Sequence, residues 1–191
     1  MARSWLLTST FYGNWLPGDP RGFVSRVRDR RPRPAEDVVR LEHDRPGTPC
    51  DADLPGLWRA AVHQMKGPRV RIDRAQADAL ANQFRETAAH RQWVLHALAV
   101  MANHIHLAVT VTDDIEPSDI LGDFKSYGSR VLNARWGKRP NGTWWTQSGS
   151  KRKLPNERAI SDAIAYIVGQ EYPLVVWSLE VQASGGRKPP E

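Results

Sequence analysis

Cysteine is nearly absent from this sequence of 191 residues, in which Cys50 is the single example. One thiol cannot form an internal disulfide, and a zinc site built from several cysteines is excluded. No apolar run approaches the roughly 18 residues that a membrane-spanning helix requires. The first residues have neither the length nor the cleavage pattern of a secretory signal peptide. These absences predict a soluble, cytoplasmic protein with no membrane partner.

Acidic residues are scarce in the stretch from Lys125 to Arg158, which carries nine basic side chains and one acid, Glu157. The formal net charge of the whole chain is +6, so the positive charge is concentrated in this stretch. Tyrosine and tryptophan are interleaved with these charges. Cationic groups can follow a phosphate backbone while aromatic faces stack on unpaired bases. The stretch therefore predicts a nucleic-acid partner.

The candidate nucleic-acid contacts fall into two chemical groups. Those for backbone phosphates are Lys125, Arg130, Arg135, Lys151, Arg152 and Lys153. Those for stacking on bases are Trp144 and Trp145. Two simpler interpretations stay open, because a run of charges is often only a solvated loop and because one tryptophan could belong to the core.

Hydrophobic periodicity predicts the order strand, helix, hairpin, helix, loop, helix, strand. The hairpin is predicted where two β-prone runs, 93–101 and 104–111, are separated by Ala102 and Asn103. The predicted helices cover about 73–90, 117–135 and 159–171. The terminal strands are predicted at 5–10 and 174–177, and the loop over 137–156 includes a short strand at Trp144. This order predicts a ferredoxin-like α+β sandwich, in which an antiparallel sheet carries helices on one face.

Length and composition suit one compact domain over residues 1–191. The exception is a stretch rich in arginine and proline at about 24–56, centred on the sequence RRPRP. We interpret it as an insertion with weak structure.

Two histidines, His104 and His106, lie two residues apart on the second strand of the predicted hairpin. Alternate residues of a strand share one face, so the two imidazoles leave the sheet side by side. Two such rings can share a metal ion. The pair alone is a weak signal, because histidines on an exposed sheet face need no function.

Tyr166 and Gln170 are four residues apart in the last predicted helix, which places them on one helical face. The amide oxygen of Gln170 is a suitable third ligand for a hard or borderline divalent ion. Tyr166 carries a phenol, which needs a nearby cation or base to act as a nucleophile, and it could equally be a packing residue. Tyr127 is a rival nucleophile. It shares an apolar stripe with Phe124, which favours a packing role for it.

Four short segments carry recognisable motifs: YGNWLPGDPRG at 12–22, MANHIHLAV at 101–109, FKSYGSR at 124–130 and YIVGQ at 166–170. The second resembles the M-x-N-H-U-H-L-x-V signature of the single-tyrosine HUH transposases, where U is a bulky apolar residue. The fourth resembles their Y-I-x-x-Q helix, and the third resembles the basic helix between the two. The first resembles an opening motif in relatives of the REP-associated tyrosine transposases. The resemblance extends from residue 5 to about 173 and is weakest at 24–56.

The resemblance implies a fold, a reaction and a set of site residues. The fold is the ferredoxin-like sandwich, with both histidines on a central strand. The reaction is cleavage and rejoining of single-stranded DNA, usually beside a hairpin, through a 5′-phosphotyrosine intermediate. Carried over by position, the metal ligands are His104, His106 and Gln170, and the nucleophile is Tyr166. Ala102 replaces a proline common in the family, but no catalytic group is missing.

The same resemblance implies a divalent cofactor, Mg²⁺ or Mn²⁺, of which Mn²⁺ suits two imidazoles better. It implies no nucleotide cofactor, because one phosphodiester bond is exchanged for another. The expected partner is single-stranded or hairpin DNA. Relatives act as monomers or as homodimers, so both states remain open for this chain.

Two other functions are compatible with the sequence. The protein could be a domesticated, catalytically inactive binder of structured single-stranded DNA or RNA, an alternative favoured if the metal site fails to fill or if Tyr166 faces inward. It could also be a small-molecule metalloenzyme. In that case the basic, tryptophan-rich stretch would have no use, and a lone glutamine ligand would be unusual for zinc. The positions of Tyr166 and Gln170 relative to the histidines distinguish the first alternative from the enzyme.

Overall fold

A computed structural model describes residues 2–20, 55–112 and 114–179 of the chain. It contains two units, one formed by residues 1–14 and 69–191 and the other by residues 15–68. The second unit includes helix α1 (Pro55–His63), which has no buried residue. Most of the predicted insertion at 24–56, and Cys50 within it, lies outside the described residues. Among the residues described, no helix is long and apolar enough to cross a membrane.

The first unit is built on a five-stranded sheet in which every neighbouring pair is antiparallel. Its strands are β1 (Arg3–Thr10), β2 (Val94–Val100), β3 (His104–Val111), β4 (Ser150–Leu154) and β5 (Val175–Ser178). Their spatial order is β4-β1-β3-β2-β5, so β3 is the central strand. The two histidines therefore lie on the central strand, as the sequence predicts.

Three further helices belong to this unit: α2 (Arg74–His90), α3 (Pro117–Trp136) and α4 (Glu157–Val168). Helix α2 begins with a capping box, in which the Asp73 carboxylate accepts from the Gln76 backbone and the Gln76 side chain accepts from the Asp73 backbone. Helix α4 begins where the Asn156 side chain accepts from the Ala159 backbone N–H at 2.9 Å. These caps set the start of each helix from local sequence.

The main hydrophobic core lies between one face of the sheet and helices α2 and α3. Leu80 and Phe84 of α2 and Phe124 of α3 are fully buried there. Phe84 and Phe124 meet edge to face, with ring centroids 5.6 Å apart. Leu107 and Val109 of β3 point into the same cluster. This core fixes the position of the sheet.

Helix α4 packs on the other face of the sheet, which differs from the expectation that the helices share one face. That expectation describes α2 and α3. The contact for α4 is a second cluster, in which Ile167 meets Ala97, Ala99 and Ala108 of the two middle strands. Alanine leaves room for a helix backbone to approach the sheet closely, and β3 is buried from both sides as a result. This face is also the one that carries His104 and His106, because residues two apart on a strand point the same way.

The predicted hairpin and the three predicted helices of this unit are present, with two differences in extent. Helix α4 ends at Val168 instead of about residue 171. Strand β4 at 150–154 replaces the short strand predicted at Trp144, since Trp145 makes only an isolated bridge to Phe11. The sequence KRK in β4 has little β-propensity. Charged residues are nevertheless common on edge strands, where they prevent pairing with other chains.

Asn14, from the opening motif, ties the end of β1 to the segment before α2. Its side chain is buried and donates to the backbone carbonyls of Phe11 at 3.0 Å and Val70 at 2.7 Å. Gly13, with φ of 75°, makes the turn that brings Asn14 into this position. Both residues of the motif therefore have a structural role.

Gly128 marks the closest approach of α3 to the core. A Cβ at this position would lie 2.9 Å from Leu80 Cδ2 and 3.2 Å from Phe84 Cε1. We expect Gly128→Ala to lower the free energy of unfolding by about 1–3 kcal/mol, because an overpacked core must shift. Gly122→Ala in the same helix is the matched control, since nothing lies within 4 Å of its Cβ position. It should be neutral or stabilising, because alanine is the better helix former. Urea denaturation of both variants tests this, and equal stability of the two would contradict it.

Candidate active site

His104 and His106 project from β3 on the face that carries α4. Their ring centroids are 4.7 Å apart, with the planes nearly perpendicular. His106 is buried and His104 is half-buried. The structure thus brings the two predicted metal ligands together at the centre of the sheet.

The register of β1 against β3 supplies a partner for His106. Thr8 is paired with His106 across the two strands, and its hydroxyl lies 2.8 Å from His106 Nδ1. The other ring nitrogen, Nε2, is buried and has no hydrogen-bond partner in the described part of the chain. Burial lowers the pKa of His106 to about 4, helped by the nearby His104. The ring is therefore neutral near pH 7, which is the form that binds metals.

Asn103 orients the second imidazole. Its side-chain oxygen Oδ1 lies 2.7 Å from His104 Nδ1. An amide oxygen can only accept, so Nδ1 of His104 carries the proton and Nε2 of the neutral ring carries the lone pair. Such outer partners commonly fix the tautomer of metal-binding histidines.

Tyr166 lies on α4 directly beside the histidines. Its ring centroid is 5.2 Å from that of His106, with the planes at 79°. About half of the residue, 51%, is exposed to solvent. The phenol is therefore accessible to a macromolecular substrate, and the inward-facing orientation that would favour a non-cleaving binder is not observed.

Gln170 lies just beyond α4 and not within it, which corrects the expectation that it shares a helical face with Tyr166. The helix ends at Val168 and Gly169 is its C-cap. Gln170 still contacts Tyr166, because its side-chain Nε2 donates to the Tyr166 backbone carbonyl at 3.0 Å. This bond uses the amide nitrogen, so the amide oxygen that would bind a metal is not consumed by it.

The chemistry of the predicted donors suits a divalent metal ion, although the set is not of the commonest kind. The described ranges contain no cluster of three or more histidine, cysteine, aspartate or glutamate side chains able to hold a metal. The predicted set instead combines two imidazoles with an amide oxygen. The buried, unpartnered Nε2 of His106 is the observation that favours a ligand, because a buried nitrogen without a hydrogen bond is costly unless something binds it.

The rival nucleophile Tyr127 lies on the opposite side of the sheet from the two histidines. It belongs to α3, which covers the face opposite the histidines. It is half-buried, and the guanidinium of Arg130 stacks over its ring at 4.8 Å. Tyr127 is not part of the main hydrophobic core, so the packing role that the sequence favours for it stays a prediction.

The predicted base-stacking tryptophans are core residues, which corrects the sequence interpretation. Trp144 is 3% exposed and Trp145 is 5% exposed. The indole N–H of Trp144 donates to Asn133, and the ring of Trp145 stacks on Phe11 with centroids 4.6 Å apart. A buried indole cannot stack on a DNA base. Their apolar rings and satisfied N–H groups instead anchor the loop before β4.

The predicted phosphate contacts do not form one group. Arg130 and Arg135 are exposed on α3, whereas Lys151, Arg152 and Lys153 lie on the edge strand β4. Alternation along β4 divides these three, since Arg152 is in register with Leu6 and Lys151 with Leu7. Only Arg152 of the three points to the face of the histidines.

Lys125 is partly buried and engaged within the protein. Its ammonium donates to the backbone carbonyls of Thr146 at 2.5 Å and Ser148 at 3.4 Å. Burial lowers its pKa to about 8, and Lys151 contributes in the same direction. The side chain thus braces the loop that leads into β4, a role that the sequence interpretation missed.

Two supporting residues of the site were also missed. Asn103 stands inside the N-H-x-H motif, so its position directly before His104 is a local signal that could have indicated it. Thr8 has no such signal. Its role depends on the strand register that places it opposite His106.

A protein-family comparison covers the segment that carries this site. The family described as Transposase IS200 like matches residues 58–170, which include both histidines, Tyr166 and Gln170. The chain therefore belongs to the IS200-like transposase family, whose members process DNA by transposase chemistry. No curated protein matches the chain in sequence.

Two solved structures are similar to the chain at low identity. One is a REP-associated tyrosine transposase bound to a REP hairpin, with 11% identity and a TM-score of 0.44 over 96% of this chain and 68% of that one. The other is a candidate transposase from Deinococcus radiodurans R1, with 16% identity and a TM-score of 0.44 over 90% of this chain and 93% of that one.

The lowered pKa of Lys125 predicts a change of stability at alkaline pH. Its folded pKa of about 8 lies below the usual 10.5, so the unfolded chain binds more protons between these values. The free energy of unfolding should therefore gain about 1–3 kcal/mol from this group as the pH rises from about 8 to 10.5. Lys125→Met should lack this gain, while Lys153→Met, at an exposed site, should keep it. Urea denaturation across this range measures the effect, and identical pH profiles for wild type and Lys125→Met would refute it.

Proposed function

We propose that this chain cleaves and rejoins single-stranded DNA beside a hairpin, with Tyr166 as the nucleophile and a divalent ion at His104, His106 and Gln170. The observation that carries the proposal is the half-exposed ring of Tyr166 beside that of His106, whose buried Nε2 has no hydrogen-bond partner among the described residues. Membership of the transposase family supplies DNA as the partner. We further propose that the DNA is single-stranded, that it carries a hairpin, and that a divalent metal ion takes part.

The protein side chains prepare the site before substrate arrives. Thr8 and Asn103 each lie within hydrogen-bonding distance of the Nδ1 atom of one histidine. The Nε2 atom of His106 has no hydrogen-bond partner among the described residues. His106 is kept neutral by burial. When bound, Mg²⁺ or Mn²⁺ would polarise the scissile phosphate and offset the charge that develops on its oxygens.

The proposed bond exchange uses the half-exposed phenol of Tyr166. Its phenolic oxygen attacks phosphorus in line with the 3′ oxygen of the neighbouring nucleotide. The new bond joins Tyr166 to the 5′ phosphate, and the bond from phosphorus to the 3′ oxygen breaks. The phenol proton passes to solvent and the released 3′ oxygen takes up a proton from solvent, which the exposure of Tyr166 permits. Attack by a 3′ hydroxyl on the phosphotyrosine reverses the step, so no nucleotide cofactor is required.

A covalent protein–DNA adduct is the direct test of the nucleophile. Wild-type protein is incubated with single-stranded hairpin oligonucleotides from the flanks of its own gene and Mn²⁺, then analysed on a denaturing gel. We expect an adduct for wild type and for Tyr127→Phe, and none for Tyr166→Phe. Tyr127→Phe is the matched control, because it removes one phenol on the other face of the sheet.

An adduct that survives in Tyr166→Phe but disappears in Tyr127→Phe would overturn the assignment of the nucleophile. Tight binding of the hairpins without any adduct, after all flanking hairpins have been tried, would replace the enzyme with the non-cleaving binder.

Metal binding is tested separately from catalysis. We expect Mn²⁺ to bind the free protein in isothermal titration calorimetry, and His106→Ala to abolish that binding. Thr8→Val should weaken it by about 10- to 100-fold, as loss of an outer partner of a metal ligand typically does. His90→Ala, at the exposed end of α2, is the control and should bind as wild type does. Equal Mn²⁺ affinity in wild type and His106→Ala would exclude the proposed metal site.

A further inference from the structure

A cleft of about 380 Å³ opens beside Tyr166 between α4 and the strands β1 and β4. It lies on the face of the sheet that carries the histidines. Thr8, which orients His106, forms part of its wall, and Tyr166 forms another part. The cleft is therefore continuous with the candidate active site but does not include the metal ligands.

Part of the cleft surface is apolar. Leu6 and Leu154 come from the strands, and Ala159 and Ala163 from the helix. The two alanines follow the helical spacing of four residues and leave the space that a larger side chain would fill. A flat aromatic base can lie against such a surface, and the cleft volume suits a single nucleotide.

Two opposite charges line the same cleft. Arg152 enters from β4, and Asp162 enters from α4 one helical turn before Tyr166. In the described part of the chain neither residue takes part in a salt bridge. A guanidinium and a carboxylate that face one cleft without pairing are both available to a ligand.

We infer that this cleft binds one unpaired guanine nucleotide next to the phosphate that Tyr166 attacks, an inference that rests on the proposed function. Asp162 accepts from the base and Arg152 binds the phosphate of the same nucleotide. Among the four bases, guanine alone presents two adjacent donors, N1–H and the N2 amino group, to the two oxygens of a carboxylate. Thymine offers one donor there, and an unpaired base is free to present this edge. The cleft would thus select the nucleotide at the cleavage position.

The test measures binding, so that it does not depend on cleavage. Tyr166→Phe protein is titrated into fluorescein-labelled single-stranded 12-mers, and fluorescence anisotropy is recorded. The four probes are thymine 12-mers that carry guanine, inosine, adenine or thymine at one central position. We expect the guanine probe to bind about 10-fold more tightly than the all-thymine probe. Inosine should lose most of this advantage, because it lacks the N2 amino group.

Variants in the same background separate the two charged residues. Asp162→Asn should remove the preference for guanine, measured as the ratio of the affinities for the guanine and the all-thymine probes. Glu157→Gln, a carboxylate on α4 outside the cleft, should retain the preference. Arg152→Gln should weaken all four probes by a similar factor, because a phosphate contact carries no base information. Lys153→Gln, next on the same strand but outside the cleft lining, should have a smaller effect than Arg152→Gln.

The outcomes distinguish this inference from the proposed function. An adduct at Tyr166 together with equal affinity for all four probes would overturn the guanine site and leave the enzyme intact. A guanine preference lost in Asp162→Asn, with no adduct on any hairpin, would retain the cleft as a base-binding site and overturn the cleavage proposal. A guanine preference that survives Asp162→Asn would also overturn the inference.

Discussion

The antiparallel pairing of β1 with β3 is the constraint on which the rest of the site depends. Its register places Thr8 opposite His106 and directs the Thr8 hydroxyl to one ring nitrogen. The remaining nitrogen is buried with no hydrogen-bond partner in the part of the chain that the structure describes, and burial keeps the imidazole neutral. A slip of one residue would turn both histidines into the main hydrophobic core.

The division of the sheet into two unlike faces explains how a rigid scaffold carries an open site. On one face, large side chains such as Phe84 and Phe124 form a dense core with α2 and α3. On the other face, alanines at the centre of β2 and β3 let α4 approach closely. The same use of small residues on α4 leaves the cleft beside Tyr166. One side of the sheet therefore forms the stabilising core, and the other side leaves Tyr166 and the cleft accessible.

The basic, aromatic stretch serves more than one purpose. Its tryptophans and Lys125 are directed inward, where they brace the loop before β4. Its arginines on α3 and the charges of β4 remain at the surface, but on different faces. Composition indicated the positive charge correctly. It could not show which way each side chain points, because an indole or an ammonium group can equally pack against the protein or face a ligand.

Much of the fold and of the histidine–tyrosine site could be predicted from the sequence alone. Hairpin runs, helix caps and the alternation of His104 and His106 are local properties, which is why these elements agree with the structure. Other features depend on contacts between distant segments. The sequence could not place α4 on the histidine face, pair Thr8 with His106, bury Trp144 and Trp145, or set Arg152 and Asp162 on one cleft. Each of these depends on strand order and register, which arise only when the whole sheet is assembled.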